Sequence, residues 1–425
     1  MTTPMLSRRG VLLAKQESVY NTYTAPSALL DAMLVEDPDY SAEINTLQRN
    51  PSRFDLDQEA YRVGRKVGGI KFSHEWRSNG RSNDGAAAPK LARLLRACGF
   101  AQTAIAAAGS GQVGAINADP NNTKNPAFTV AGAGDANFAA PVLYEIAVTT
   151  GGASGTAQVS ITPDPLSILN GVGGAAQTGV TLTTATAFNL NVGGAFTLTP
   201  VWAGNLVLGD KWFVWVYPLG LLYTAVSSGF ESLSMDLYYD GMLHKMSGGL
   251  GSFEVKAEAG GYAKADFTFM GQYFEPIDSA IPTTAVYENQ LPAIVELSDL
   301  MIGGYSQTVS EFGWGVKNSV VPRLDANAAE GYSGVRITNR TVDGSINPEA
   351  ALVADFNFWN KLATGERMLA RNKVGQAAGN RIWTMAPSAQ LSNLSYGSRD
   401  DIRILDGQLS FSRKFGNDSI SFLIS

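Results

Sequence analysis

Among its 425 residues the chain has one cysteine, Cys98, and two histidines, His74 and His244. A single cysteine excludes an intrachain disulfide and fits assembly in a reducing compartment. The histidines stand far apart in sequence, and neither has a metal-ligand spacing, so no metal centre is expected. There is no nucleophile elbow, phosphate-binding loop or cysteine pair. Cys98 falls on the apolar side of a short helical pattern, where a thiol belongs to the core. Neither catalysis nor a cofactor is expected from this set.

Positive charge is also scarce. Lys and Arg total 32 against 38 Asp and Glu, a net charge of -6, with no basic cluster. That excludes a sequence-reading DNA binder. It remains compatible with nucleic acid that passes an acidic wall without sticking to it. No run approaches the roughly 20 apolar residues of a membrane helix. Arg8-Arg9-Gly10-Val11-Leu12-Leu13 has the outline of a twin-arginine leader, but Lys15 and Glu17 end the apolar run too soon. A product with no leader and no span is expected to be soluble and intracellular.

What is abundant is glycine, at 45 residues, within a composition that is 45% hydrophobic and 16% charged. This describes a folded, β-rich chain with many tight turns. Between 104 and 221 the charge nearly vanishes: Asp119, Lys124, Asp135, Glu145, Asp164, Asp210 and Lys211 are all there is, with no arginine. Short β-like runs there (143–149, 157–162, 179–184, 195–201 and 211–217) are punctuated by Gly151-Gly152, Pro163-Asp164-Pro165 and Gly209-Asp210. The spacing predicts an inserted β-sandwich. Trp202, Trp212 and Trp215 argue against the alternative of a long disordered loop.

Without that segment the rest reads as duplicated. Residues 61–75 and 335–349 both read as a strand, a glycine turn or bend, and a second strand ending in Glu. A helix follows each. The first spans 89–98, with Pro89 at its start, Gly99 as its stop, and Leu91, Leu94, Leu95 and Cys98 on one face. The second spans 355–364, with Asp355 as N-cap, Gly365 as stop, and Phe358, Trp359, Leu362 and Ala363 buried. Strands come next: 231–239, 242–246, 253–259 and 262–273 in the first copy, and 367–374, 382–394 and 402–415 in the second. Asp240-Gly241 is a hairpin turn.

Several segments resemble, in order, those of phage tail tube proteins. They are Val11-Leu12-Leu13-Ala14-Lys15-Gln16-Glu17-Ser18-Val19-Tyr20-Asn21-Thr22, the helix Ala88-Pro89-Lys90-Leu91 to Leu94-Leu95-Arg96-Ala97-Cys98-Gly99, and Tyr223 to Val226-Ser227-Ser228-Gly229-Phe230-Glu231-Ser232. The hairpin Asp240-Gly241-Met242-Leu243-His244-Lys245 and the stretch Pro387 with Leu391-Ser392-Asn393-Leu394-Ser395-Tyr396-Gly397 complete the set. Leu394 stands where the family has proline, Ser247–Gly251 replaces a turn motif, and the insert separates Thr103 from Tyr223. The expected fold is mainly β: two tail-tube-like β-sandwich or barrel units, each with one packed α-helix, plus an inserted Ig-like β-sandwich. Unit 1 takes 1–103 and 222–280, the insert 104–221, and unit 2 281–425.

The resemblance implies a virion tail component assembled in the host cytoplasm. It implies rings whose strands join into one inner barrel, stacked into a hollow tube through which DNA passes to the host. A duplicated subunit implies three chains in a pseudo-hexameric ring, with six chains as the alternative. Partners implied are other copies of the chain, a tape measure protein and a tail terminator. Other readings are a tail-end ring protein (terminator or baseplate hub), or a host-surface carbohydrate binder acting through the insert's tryptophans.

Two sets of candidate residues follow. The polar stretch 37–58 and its counterpart 319–331 are expected to reach the neighbouring ring through Glu43, Arg49, Arg53, Asp55, Asp57, Arg323, Asp325 and Glu330. The alternative is an ordinary solvated loop. Asp236, Glu254, Glu258, Asp266 and Asp406 lie on polar strand faces and are expected to line the lumen. Alternation defines two faces without saying which looks inward, so an outward, solvated face is the alternative.

Overall fold

A computed structural model describes residues 5–6, 8–81, 88–165, 167, 172–190, 195–306, 308–328 and 331–425. The protein is mainly β. Its framework is eight long strands, here labelled in chain order, with other strands cited by residue range. They are β1 (Glu36–Leu47), β2 (Arg62–Glu75), β3 (Met242–Glu258), β4 (Lys264–Tyr273), β5 (Val309–Leu324), β6 (Tyr332–Pro348), β7 (Ile382–Arg399) and β8 (Ile402–Phe411). All pair antiparallel, in the order β7-β8-β6-β5-β3-β4-β2-β1.

Period-2 alternation gives this sheet one apolar and one polar face. Ile70, Phe72, Phe253, Val255, Phe267, Phe269, Trp314, Val316, Val342, Leu405 and Leu409 are buried on the first. Helix α1 (Lys90–Ala97) covers part of that face with Leu91, Leu94 and Leu95, all fully buried beside Cys98. Each such leucine contributes about 1.5–3 kcal/mol. Trp76 ties the two halves together: its ring lies against Phe253, Trp314 and Phe422, with centroids 5.9, 6.3 and 5.5 Å away. One hydrophobic core therefore runs through both halves.

The duplication is visible in the ladder registers. Adding 274 to the pairs Tyr40·Ile70 and Leu47·Arg62 of β1–β2 gives Trp314·Gly344 and Val321·Arg336 of β5–β6. Phe253·Phe267 and Val255·Ala265 of β3–β4 correspond to Leu394·Gly407 and Tyr396·Leu405 of β7–β8. The flanking strands repeat too. Leu233–Tyr239 borders the first half of β3, and Met368–Val374 borders the first half of β7.

Several local expectations need correction. Residues 62–75 and 332–348 are each one unbroken strand, not a strand, turn and strand. Gly69 is there for close approach, since a Cβ would lie 2.6 Å from the Ser41 hydroxyl oxygen. Residues 242–246 and 253–259 belong to one 17-residue strand carrying a bulge between Ser247 and Leu250. Much of the stretch 37–58 is strand β1, and β5 extends to Leu324, so both supposed loops shrink to hairpin tips. Helix α2 is Phe358–Thr364; its N-cap is Asn357, which accepts from the Asn360 N–H, and not Asp355. Only Phe358 of its expected stripe is buried, while Trp359 and Ala363 are exposed.

Residues 113–216 carry a five-stranded and a three-stranded sheet of their own. Their core holds Tyr144, Ile146, Val159, Phe196, Leu198, Trp212 and Val214. In the strand Lys211–Val216, Trp212 and Val214 face that core. Phe213 and Trp215 face the other way, onto Trp383, Met385 and Leu423. A buried ion pair crosses the same contact, with Arg371 3.4 Å from Asp164. Asp164 also accepts from the Ser167 hydroxyl at 2.7 Å.

Candidate assembly interface

The β7-to-β1 sheet ends in two edges that, among the described residues, have no strand beside them. Among the described residues β1 pairs with β2 alone. Beyond Leu391, β7 pairs with β8 alone, because its other neighbour, Met368–Val374, stops at Ala389. β1 is twelve residues long and exposed along most of its length. Monomeric proteins shorten, cover or twist away such edges. This one is instead left as a template for pairing.

The polar face is open. Glu254, Glu258, Asp266 and Asp406 all lie on it and are exposed. Asp266 and Asp406 occupy the same place in the two repeats, opposite Glu254 and Ser395 respectively. Lysines are interleaved: Lys256 lies 3.4 Å from Asp266, Lys264 2.5 Å from Glu36 and Lys317 2.6 Å from Asp343. The hydrogen bonds to Glu36 and Asp343 push the Lys264 and Lys317 ammonium groups above their ordinary range.

Asp236 breaks the expected set. It is buried, and the Tyr23 hydroxyl donates to its carboxylate at 2.8 Å. Burial raises its carboxyl above the ordinary range, against the opposing pull of Tyr23. The alternation in Leu233–Tyr239 is as expected, but Tyr23 covers this part of the face. Asp236 therefore does not lie on the open polar face.

The exposed end of hairpin β1–β2 forms an arm; the end of β5–β6 is seated on the subunit through Tyr332, whose hydroxyl donates to the Lys66 carbonyl at 2.8 Å, and through Val335 and Ile337, which pack with Leu250. The first tip, residues 48–61, carries Arg49 and Arg53, both paired with Glu59. Glu43 lies on β1 itself, 3.3 Å from Arg65. Asp55 accepts from the Asp57 N–H at the tip's turn. The second tip holds exposed Arg323, and Asp325 accepts from the Asn327 N–H at 2.9 Å. Glu330 lies outside the described residues. Charge led to these positions, but the more telling residues at the first tip are apolar: Phe54 and Leu56 are fully exposed. Their signal was a pair of large hydrophobes in a polar, strand-free stretch.

Among the described residues of the insert, the three tryptophans form no open aromatic platform. Trp212 and Trp215 are buried and Trp202 is half-buried. Among the described residues no group of three or more His, Cys, Asp or Glu side chains could hold a metal ion. No described helix is long and apolar enough to cross a membrane.

A broad sheet with two unfilled edges, an exposed hairpin arm and an open polar face defines a structural subunit built to associate. The family described as phage tail tube protein is matched by residues 7–402, and the chain belongs to it. It is thus a structural component of a viral tail that assembles with itself into a tube. No curated protein matches the sequence.

Proposed function

We propose that three copies close into a ring, each supplying two equivalent four-strand segments, and that rings stack into a hollow tube that conducts DNA. The observation that carries this reading is the repeat itself. Two tandem units already share one continuous sheet through β3 and β5. A third unit is added by the same operation, and closure removes the open edges. Three chains of eight strands make a barrel of twenty-four. At roughly 4.8 Å between strands and about 40° of tilt, its backbone diameter is roughly 45–50 Å. Barrels of about 16–18 strands already leave an aqueous channel. Six chains would double the circumference, so three are preferred.

On this reading the polar face lines the lumen. Its carboxylates repel phosphate, and DNA slides past without being held. The tips of hairpins β1–β2 and β5–β6 contact the next ring, and contacts that do not close propagate as an open stack. The insert, 104–221 in this division of the chain, sits on the outer wall as a rigid decoration on units 1–103 with 222–280 and 281–425. By family resemblance a tape measure protein and a tail terminator are further partners of the tube.

The test is electron microscopy of the purified protein over a concentration series. Hollow tubes or stacked rings bearing three outward knobs per ring are expected. Monomers, or closed rings that never stack, would move the protein to a tail-end role.

A further inference from the structure

We infer that the outer edge of β1 in one copy pairs with the C-terminal half of β7 in the next, in the register the chain already uses between β5 and β3. This rests on the ring reading above and names its contacts. The internal seam joins Phe253·Val316, Glu254·Gly315, Val255·Trp314 and Glu258·Glu311. The ladders show that β5 corresponds to β1 and β3 to β7. Carrying the seam across that correspondence gives Leu394·Ala42, Ser395·Ser41, Tyr396·Tyr40 and Arg399·Asp37 between copies.

The residues at the free edges suit that pairing. Val255 and Trp314 are 0% and 4% exposed in the internal seam, whereas Tyr396, in the place of Val255, is 55% exposed. Its ring is propped by Trp359, whose indole N–H donates to the Tyr396 hydroxyl at 3.1 Å, and by Arg403, 5.2 Å from its centroid. It therefore stands ready at the edge, with one side uncovered. Directly opposed aromatic residues stabilise antiparallel pairs. The like-charged pair Glu258·Glu311 of the internal seam becomes the opposite-charged pair Arg399·Asp37 between copies. The occupant is a second copy because the seam inside the chain is the same junction, already made. The contact is heterologous, so it continues until a ring closes.

Disulfide trapping tests the register, and the background is clean because the one native cysteine, Cys98, is buried. Ser41→Cys with Ser395→Cys places two near-isosteric changes at exposed positions facing each other on the polar side. Oxidation of assembled protein is expected to give covalent dimers and trimers, with nothing larger. Ala42→Cys with Leu394→Cys checks the same register on the apolar side. Ser41→Cys with Tyr396→Cys puts the thiols on opposite faces and is expected to give at least tenfold less product. Tubes that form normally without cross-links in the two matched pairs, or with equal cross-linking in the mismatched one, overturn the register and leave the tube reading intact. Failure of the unaltered protein to form rings at all overturns the tube reading. A covalent ladder that stops at six keeps the register and replaces three chains by six.

Discussion

Tyr40 stands in β1 where Trp314 stands in β5, opposite Ile70 and Gly344 respectively, yet Trp314 is covered by a neighbouring strand and Tyr40 is not. Tyr40 is half-buried, stacked on His244 at 4.3 Å, and on the proposed ring the two positions are the same junction, made inside the chain and open at its edge. Trp314→Ala opens a cavity inside the subunit core and is expected to cost about 3–5 kcal/mol in denaturant unfolding. Tyr40→Ala, at a half-open edge, is expected to cost clearly less, while raising the concentration needed for assembly at least tenfold. Equal destabilisation by the two substitutions would show that Tyr40 serves the monomer's core.

The arm tip carries a second separation of stability from assembly. Phe54 and Leu56 touch nothing in the subunit. Changing both to serine is expected to leave unfolding within about 0.5 kcal/mol of the parent. The same protein should still form rings but stack them poorly, read as shortened tubes by microscopy or as slower-sedimenting material. Arg53→Glu with Arg323→Glu should act in the same direction. Full-length tubes from either double variant would place the tips outside the ring-to-ring contact.

The polar face makes an electrostatic prediction. Glu254, Asp266 and Asp406 are exposed, so exchanging all three for lysine should change subunit stability little. In the tube the exchange should turn a wall that repels phosphate into one that holds it. Altered tubes are expected to retain duplex DNA at low salt and release it steeply as salt rises. Parent tubes should retain none. Tubes indifferent to the exchange would mean that this face looks away from the lumen.

A buried histidine supplies a pH dependence. His74 lies on β2, fully enclosed; desolvation first, and Arg77 second, push its imidazole down from 6.5 to about 4. Between these values the unfolded chain binds a proton that the folded chain refuses. Its contribution is therefore fully present above about pH 6.5 and is lost as pH falls toward about 4. The loss is about 3 kcal/mol. His74→Gln should flatten that part of the stability profile, measured by denaturant unfolding below the assembly concentration. An unchanged slope would assign the acid sensitivity to other groups.

Much of the framework was legible because period-2 patterns and turn residues are local signals. Leu233 to Tyr239, the Asp240-Gly241 turn and the α1 stripe of Leu91, Leu94 and Leu95 all follow from neighbours in sequence. β1 was not legible as a strand. Tyr40, Ala42 and Ile44 alternate with Asp39, Ser41, Glu43 and Asn45, but Asp37-Pro38-Asp39 signals a turn and the open edge leaves the apolar set thin, so Glu36–Leu47 looks like a loop. The long strands were cut at Gly68, Gly69, Gly248 and Gly249, since glycine signals a turn unless a second strand's close approach is known. Asp236 was placed on the correct face, but its cover, Tyr23, comes from a distant segment. Phe54 and Leu56 lie in a polar stretch with no periodic pattern around them, so nothing local marks them as a contact.

The central claim is that the two repeats are consecutive segments of one closed wall, and a three-dimensional reconstruction of the assembled tube tests it most directly. The account predicts three chains per ring, twenty-four strands around the lumen, β1 of each chain beside β7 of the next, and Glu254, Asp266 and Asp406 facing inward. A ring in which β1 and the end of β7 remain unpaired, or in which those carboxylates face outward, would contradict it.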